Sequence, residues 1–259
     1  MTKQHDSSQV NTTDNAFFAK REAIESRIAK ACAMFQQDPS RIQLLAVSKT
    51  FSAQAVSAAV EAGITAFGEN YVQEGIEKIE ALKPQRSRLS WHFIGPLQSN
   101  KTKEVAQHFD WMHSVDREKI ARRLSEQRPP SLAPLAVCLQ INVSGEATKS
   151  GVNPGEALAL AKSIAGLPGL RLRGLMAIPE PTDDRELQRA RFRMLASLFL
   201  AIKAELPKVA QESFDTLSMG MSADLESAIA ESIPQAKTMI RVGTALFGER
   251  SGFTWPRQT

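Results

Sequence analysis

Apolar residues fall into two alternating patterns along the chain. Short apolar-rich runs recur, and between them lie longer stretches with a helical period of three to four residues. The first run, "IQLLAVS" (42–48), has the continuous apolar character of a strand buried on both faces. The series continues with "TAFG" (65–68), "SWHFIG" (90–95), "DWMHS" (110–114), "LAVCLQIN" (135–142), "LRLRGLMAI" (170–178), "FDTLS" (214–218) and "TMIRVG" (238–243). Ahead of them, 15–37 reads as a helix with an apolar face of Phe18, Ile24, Ile28, Ala31 and Phe35. Ser52 is placed to cap a helix running to Glu61, which Gly63 stops. Asn153, Pro154 and Gly166 bound another. A third, over 184–206, carries a stripe of Leu187, Met194, Leu195, Leu198 and Ile202.

Eight strands alternating with helices predict parallel strands joined by crossover helices. Eight such units in 259 residues match the size of a TIM-type (β/α)8 barrel. The expected organisation is α/β, with one barrel domain over 15–250 that includes an N-terminal helix. A polar tail over 1–14, read as disordered, and a C-terminal tail over 251–259 flank it. The competitor is a doubly wound open sheet, which usually carries a glycine-rich GxGxxG first turn. Here the first turn is "SKTFS".

Composition narrows the function classes. The chain is 42% hydrophobic and 23% charged, with a net charge of +4. Its basic residues are interleaved with acids, as in "DREKIARRLSEQR", and aromatics make up only 6%, which disfavours nucleic-acid binding. Cys32 and Cys138 sit far apart in apolar contexts and read as buried free thiols of a reducing compartment. The four histidines show no metal-ligand spacing. There is no apolar run of signal-peptide or membrane-spanning type, so a soluble cytoplasmic protein is expected.

In a barrel, chemistry gathers at the C-terminal strand ends. Lys49 stands at the first of these. A lysine there has a packed stem and a partly desolvated amine, which favours nucleophilic attack on a carbonyl. The alternative is a lysine snorkelling to solvent. Near the last strands, "SMGMSADLESAIAE" offers a glycine-containing turn and Ser222 as an N-cap, a combination suited to phosphate. Asp224 and Glu226 would weaken such a site if they pointed inward. "RVGT" adds Gly243, which permits close backbone approach, and the Thr244 hydroxyl. Together with Lys49 these point to an aldehyde with a phosphate tail, which fits both pyridoxal 5′-phosphate and aldolase substrates.

Six stretches in order, "LLAVSKTF", "FGENYVQE", "WHFIGPLQSNK", "QINVSGEATKSG", "LSMGMSADLESAI" and "RVGTALFGER", resemble the pyridoxal phosphate homeostasis protein family over about residues 20 to 250. These are single-domain relatives of the alanine racemase barrel domain. The resemblance implies a Schiff base between Lys49 and pyridoxal 5′-phosphate and an approach of Arg241 to the pyridine nitrogen. Ser222, Gly243 and Thr244 would hold the phosphate and Asn70 would lie beside the ring. His92, Met176 and Ser218 would form pocket wall. An arginine at the ring nitrogen keeps it unprotonated and makes the ring a weak electron sink.

The resemblance further implies cofactor buffering and delivery to apo-enzymes without efficient catalysis. Racemisation needs a base on each face. In alanine racemase the second base is a tyrosine from another domain. This chain stops about where that domain would begin, and its single tyrosine, Tyr71, reads as a helix-start residue. A monomer is expected, because that domain supplies a dimer surface. A weak amino-acid racemase and a class I aldolase using Lys49 are the other readings. Lys149, in the loop "SGEATKSG", would act as a second amine or phosphate contact during cofactor release, the alternative being a solvated loop lysine, and Lys101 and Lys103 would draw anions to the mouth.

Overall fold

The computed structural model describes residues 8–145 and 150–248. The elements in order are α1 (Ser8–Phe35), β1 (Ile42–Val47), α2 (Ala53–Glu61), β2 (Ala66–Glu69), α3 (Val72–Ala81), β3 (Ser90–Phe93), α4 (Thr102–His108), β4 (Trp111–Val115), α5 (Glu118–Gln127), β5 (Leu135–Gln140), α6 (Pro154–Ala165), β6 (Leu170–Met176), α7 (Arg185–Glu205), α8 (Lys208–Ser213), β7 (Thr216–Met221), α9 (Leu225–Ala230), β8 (Lys237–Val242) and α10 (Thr244–Phe247). Each strand pairs in parallel with the next, and β8 returns to β1 from Ile42↔Thr238 to Ala46↔Val242. Closure leaves no unpaired edge. The open-sheet alternative is thereby excluded and the barrel stands.

Burial on both faces explains the apolar runs. All six residues of β5 are buried, with interior side chains on one face and helices on the other. Trp91, Phe67, Phe93, Phe109, Phe192, Phe199 and Phe214 are the bulkiest fully buried side chains. Each such side chain contributes roughly 1.5–3 kcal/mol by leaving water. Cys32 and Cys138 are buried free thiols. Burial pushes the Cys138 thiol up to about 12, which makes it inert near neutral pH.

Two caps form as the sequence indicates. Ser52 accepts from the Ala55 N–H, and Asn153 accepts from the Gly155 N–H with Pro154 in the first turn. The helical faces differ in places. α1 starts at Ser8 and so takes in residues 8–14 of the stretch read as disordered, since no glycine or proline interrupts it. Residues 1–7 and the tail from 249 lie outside the described residues. Phe17 is the buried aromatic of α1, and Phe18 is exposed.

On α7 the buried side chains are Gln188, Phe192, Leu195, Ala196, Phe199 and Ile202, while Leu187 and Met194 are exposed. The expected stripe was rotated because Gln188 counts as polar. Its amide is satisfied inside, donating to the Thr182 carbonyl at 2.6 Å and accepting from Ser227 Oγ at 2.7 Å.

The end of β7 is shaped by a bulge. Ser218 pairs with Met239, but the next partner of Arg241 is Met221, with a register shift between. Gly220 sits in that shift at φ 87°, a region open to glycine. A Cβ there would come within 2.6 Å of Ala228 Cβ and 2.9 Å of Ile240 Cδ1. Gly220→Ala is therefore expected to lower stability by about 1–3 kcal/mol, read as a shifted denaturation midpoint.

Candidate functional site

At the C-terminal face a cavity of about 300 Å³ lies between the ends of β1, β2, β7 and β8. Lys49, Asn70, Ser222, Arg241, Gly243 and Thr244 all line it. These are the six residues that the sequence singled out, brought together from four separate parts of the chain. Phe51, Ile94, Ile178 and Met221 add apolar wall, which sequence reasoning did not identify. The volume is at the small end of ligand pockets.

β1 delivers Lys49 through a turn immediately after its last residue, Val47. The end of β8 lies close against β1: a Cβ on Gly243 would stand 3.2 Å from the Val47 carbonyl oxygen. Ser222 follows the β7 bulge but does not cap α9, correcting the expectation. The N-cap position is Asp224, and α9 has only six residues. Asp224 curls back to accept the Met221 N–H at 2.6 Å, which tightens the turn before the helix starts. Glu226 points away and pairs with Arg27, whose guanidinium also donates to the Ser222 carbonyl at 3.1 Å. So α1, outside the barrel, holds the Ser222 turn in place, and Glu226 does not face the cavity. Asn70 Oδ1 is buried with no hydrogen-bond partner.

Arg241 is buried and its guanidinium is fixed from two sides. Nη1 donates to Ser218 Oγ and Nη2 to the Ala177 carbonyl, both at 2.8 Å. Burial brings its pKa down to about 10, so it remains a cation near neutral pH. Behind it runs a buried polar chain across the barrel. Ser218 Oγ lies 2.8 Å from His113 Nδ1, His113 Nε2 lies 2.9 Å from His92 Nδ1, and His92 Nε2 lies 2.9 Å from Ser90 Oγ. One order of protons satisfies every member: Ser218 donates to His113, His113 to His92, and His92 to Ser90. Both imidazoles are then neutral. Burial drives His92 down to about 3 and His113 well below its ordinary value, with Arg173 and Arg241 adding to the effect. His92, Met176 and Ser218 are buried and do not line the cavity, against the expectation that they form its wall.

A second cavity of about 600 Å³ adjoins the first and shares Asn70 with it. Tyr71 and Lys101 line this second space, and Tyr71 occupies the N-cap position of α3. Lys101 is paired with Glu104 at 3.2 Å, and Lys103 is exposed without lining either space. Lys149 lies outside the described residues. Sequence reasoning also missed a buried ionic cluster, Glu69, Glu74 and Lys78, under the Lys49 turn. Glu74 and Lys78 are four apart on α3, a spacing that reads as an exposed helix pair.

The family model for the alanine racemase N-terminal domain matches residues 20–251. A pyridoxal phosphate homeostasis protein from Haemophilus influenzae is 54% identical over 228 residues, covering 88% of this chain and 93% of the relative. The chain belongs to the pyridoxal phosphate homeostasis protein family. PipY of Synechococcus elongatus, solved with PLP bound, is 37% identical with a TM-score of 0.71, covering 85% of this chain and 100% of that one. An alanine racemase from E. faecalis is 21% identical with a TM-score of 0.59, covering 88% of this chain and 58% of that one. This last likeness shows the shared barrel alone. In this homeostasis family member, the barrel thus places one amine, one buried guanidinium and two hydroxyls around a single small cavity.

Proposed function

We propose that this chain holds pyridoxal 5′-phosphate in the 300 Å³ cavity as a Schiff base on Lys49. Its role is then to buffer the cytoplasmic cofactor and pass it to pyridoxal phosphate-dependent apo-enzymes, without efficient catalysis of its own. The observation that carries this reading is the convergence of Lys49, Asn70, Ser222, Arg241, Gly243 and Thr244 on one cavity. It is supported by the homeostasis proteins that share about half its residues and by PipY solved with PLP bound.

The residues present fit the group. The Lys49 amine can bond an aldehyde carbon, the aldehyde oxygen leaving as water. Ser222 and Thr244 offer hydroxyls, and Gly243 offers backbone without a side chain, for the phosphate. The unpartnered Asn70 Oδ1 can accept from a polar ring substituent. Arg241 has no acceptor and stays cationic, so a ring nitrogen facing it remains unprotonated. When bound, the cofactor supplies an aldehyde and an electron-withdrawing ring, here of weakened pull.

A weak amino-acid racemase is the second reading, favoured by the match to the alanine racemase N-terminal domain over residues 20–251 and by the adjoining cavity. Racemisation needs an acid–base group on each face of the reacting carbon. Among the described residues lining the Lys49 cavity, Lys49 is the only side chain of ordinary general-base type, and Tyr71 lies in the adjoining space. The loaded protein is therefore expected to give D-alanine from L-alanine only at background. Turnover well above background that disappears in Lys49→Ala would overturn the non-catalytic reading.

A further inference from the structure

The turn that presents Lys49 is conformationally unfavourable. The Phe51 N–H closes it on the Ser48 carbonyl at 3.1 Å, with Lys49 second and Thr50 third. Thr50 has φ 68°, the left-handed region, which a β-branched residue rarely occupies. A negative φ at the second position and a positive φ at the third is the pattern of a type II turn, whose third position normally takes glycine. The common type I turn differs by a flip of the central peptide, here the one joining Lys49 to Thr50. Something outside the turn must hold that peptide.

A buried ionic cluster grips it on both sides. Glu74 Oε1 accepts the Thr50 N–H at 2.5 Å, which fixes the central peptide plane. Lys78 Nζ donates to the Ser48 carbonyl at 2.6 Å, to Glu69 Oε1 at 2.7 Å and to Glu74 Oε1 at 2.6 Å. Ser48 Oγ donates to Glu69 Oε1 at 2.6 Å. The ammonium thus uses all three of its protons, and the residues before and after Lys49 are both tied to the cluster, Ser48 through Lys78 and Thr50 through Glu74. Glu69, Glu74 and Lys78 are all nearly inaccessible to solvent. Burial pushes the Glu69 carboxyl up to about 7, so a proton on Glu69 leaves one ammonium facing one carboxylate.

Filling space does not explain the charges. Apolar groups of similar volume usually replace a buried ion cluster at little cost in stability. They cannot accept the Thr50 N–H or donate to the Ser48 carbonyl. We infer that Glu74, Lys78 and Glu69 are positioning residues that lock the Ser48–Phe51 turn in the form that aims the Lys49 amine into the cavity. The inference rests on the reading of Lys49 as the cofactor's amine.

The test compares pyridoxal 5′-phosphate with pyridoxamine 5′-phosphate, which has no aldehyde and cannot bond Lys49. Glu74→Ala is expected to slow formation of the visible band, and to weaken pyridoxal phosphate binding, by roughly tenfold or more. Its affinity for pyridoxamine phosphate should change by less than about twofold, since the other ligand contacts remain. Glu74→Gln keeps an oxygen for the Thr50 N–H and should restore capture. Lys78→Met should behave as Glu74→Ala does. Equal loss for both ligands would assign the cluster to general stability and overturn the inference. So would capture by Glu74→Ala at the wild-type rate, or failure of both Glu74→Ala and Lys78→Met to fold. A wild-type protein that captures the aldehyde on a residue other than Lys49 overturns the underlying reading, a result distinct from all of these.

Discussion

Lys49→Ala is expected to abolish covalent retention of pyridoxal 5′-phosphate. The variant should purify without the visible band, and borohydride should fix no pyridoxyl group at position 49. The fold should persist. Lys49 is only half-buried and follows β1 rather than forming part of it, and substitutions at such positions usually change stability by no more than about 0.5 kcal/mol. Ser222, Gly243, Thr244 and Arg241, the proposed phosphate and ring contacts, still line the cavity, so weak binding should survive. Loss of the oriented amine should cost at least about 100-fold in affinity. Lys49→Arg separates charge from covalency: a guanidinium stays protonated and does not form the Schiff base. Spectral titration of both variants beside wild type reads the difference. A visible band of wild-type strength in Lys49→Ala would move the covalent site elsewhere.

The second large effect is acid lability. His92 and His113 are buried as neutral imidazoles, with His92 driven down to about 3. In the unfolded chain both take up protons near pH 6.5. Below that value the unfolded state binds more protons than the folded one, so stability falls as pH falls. From pH 6.5 to 4.5 His92 alone should remove roughly 2 kcal/mol of a domain's usual 5–15 kcal/mol, and His113 acts in the same direction. Glu69 acts in the opposite sense, because its raised pKa lends stability at low pH that is lost as pH rises through about 7. The expected profile in urea denaturation at stepped pH is a decline on the acid side that Glu69 partly offsets. His92→Gln should flatten that limb at the cost of stability near neutrality, since it breaks the chain from Ser90 to Arg241. An acid limb as steep in His92→Gln as in the wild type would contradict the neutral pair.

What the sequence makes legible follows from the range of the interactions involved. The strands are marked locally, because burial on both faces demands continuous apolar runs. The polar residues at their C-terminal ends follow once a barrel is assumed, and so all six candidate ligands fall on one cavity. Long-range compensation is not marked. Gln188 looks like a surface residue until the Thr182 carbonyl and Ser227 hydroxyl that satisfy it are seen. Glu74 and Lys78 look like an exposed helical pair, yet they close on Ser48 and Thr50 from another unit of the barrel. His92 and His113 stand 21 positions apart and meet only when β3 and β4 pair. Ser222 has the composition of a helix cap, but a glycine bulge carries the turn beyond it and gives the position to Asp224.

The most direct measurement is peptide mapping of the wild-type protein after reconstitution with pyridoxal 5′-phosphate and reduction with borohydride. A single pyridoxyl group on the peptide containing Lys49, with loss of the visible band, is the predicted result. Reduction that leaves Lys49 unmodified, or that labels a different lysine while the visible band disappears, would contradict the account.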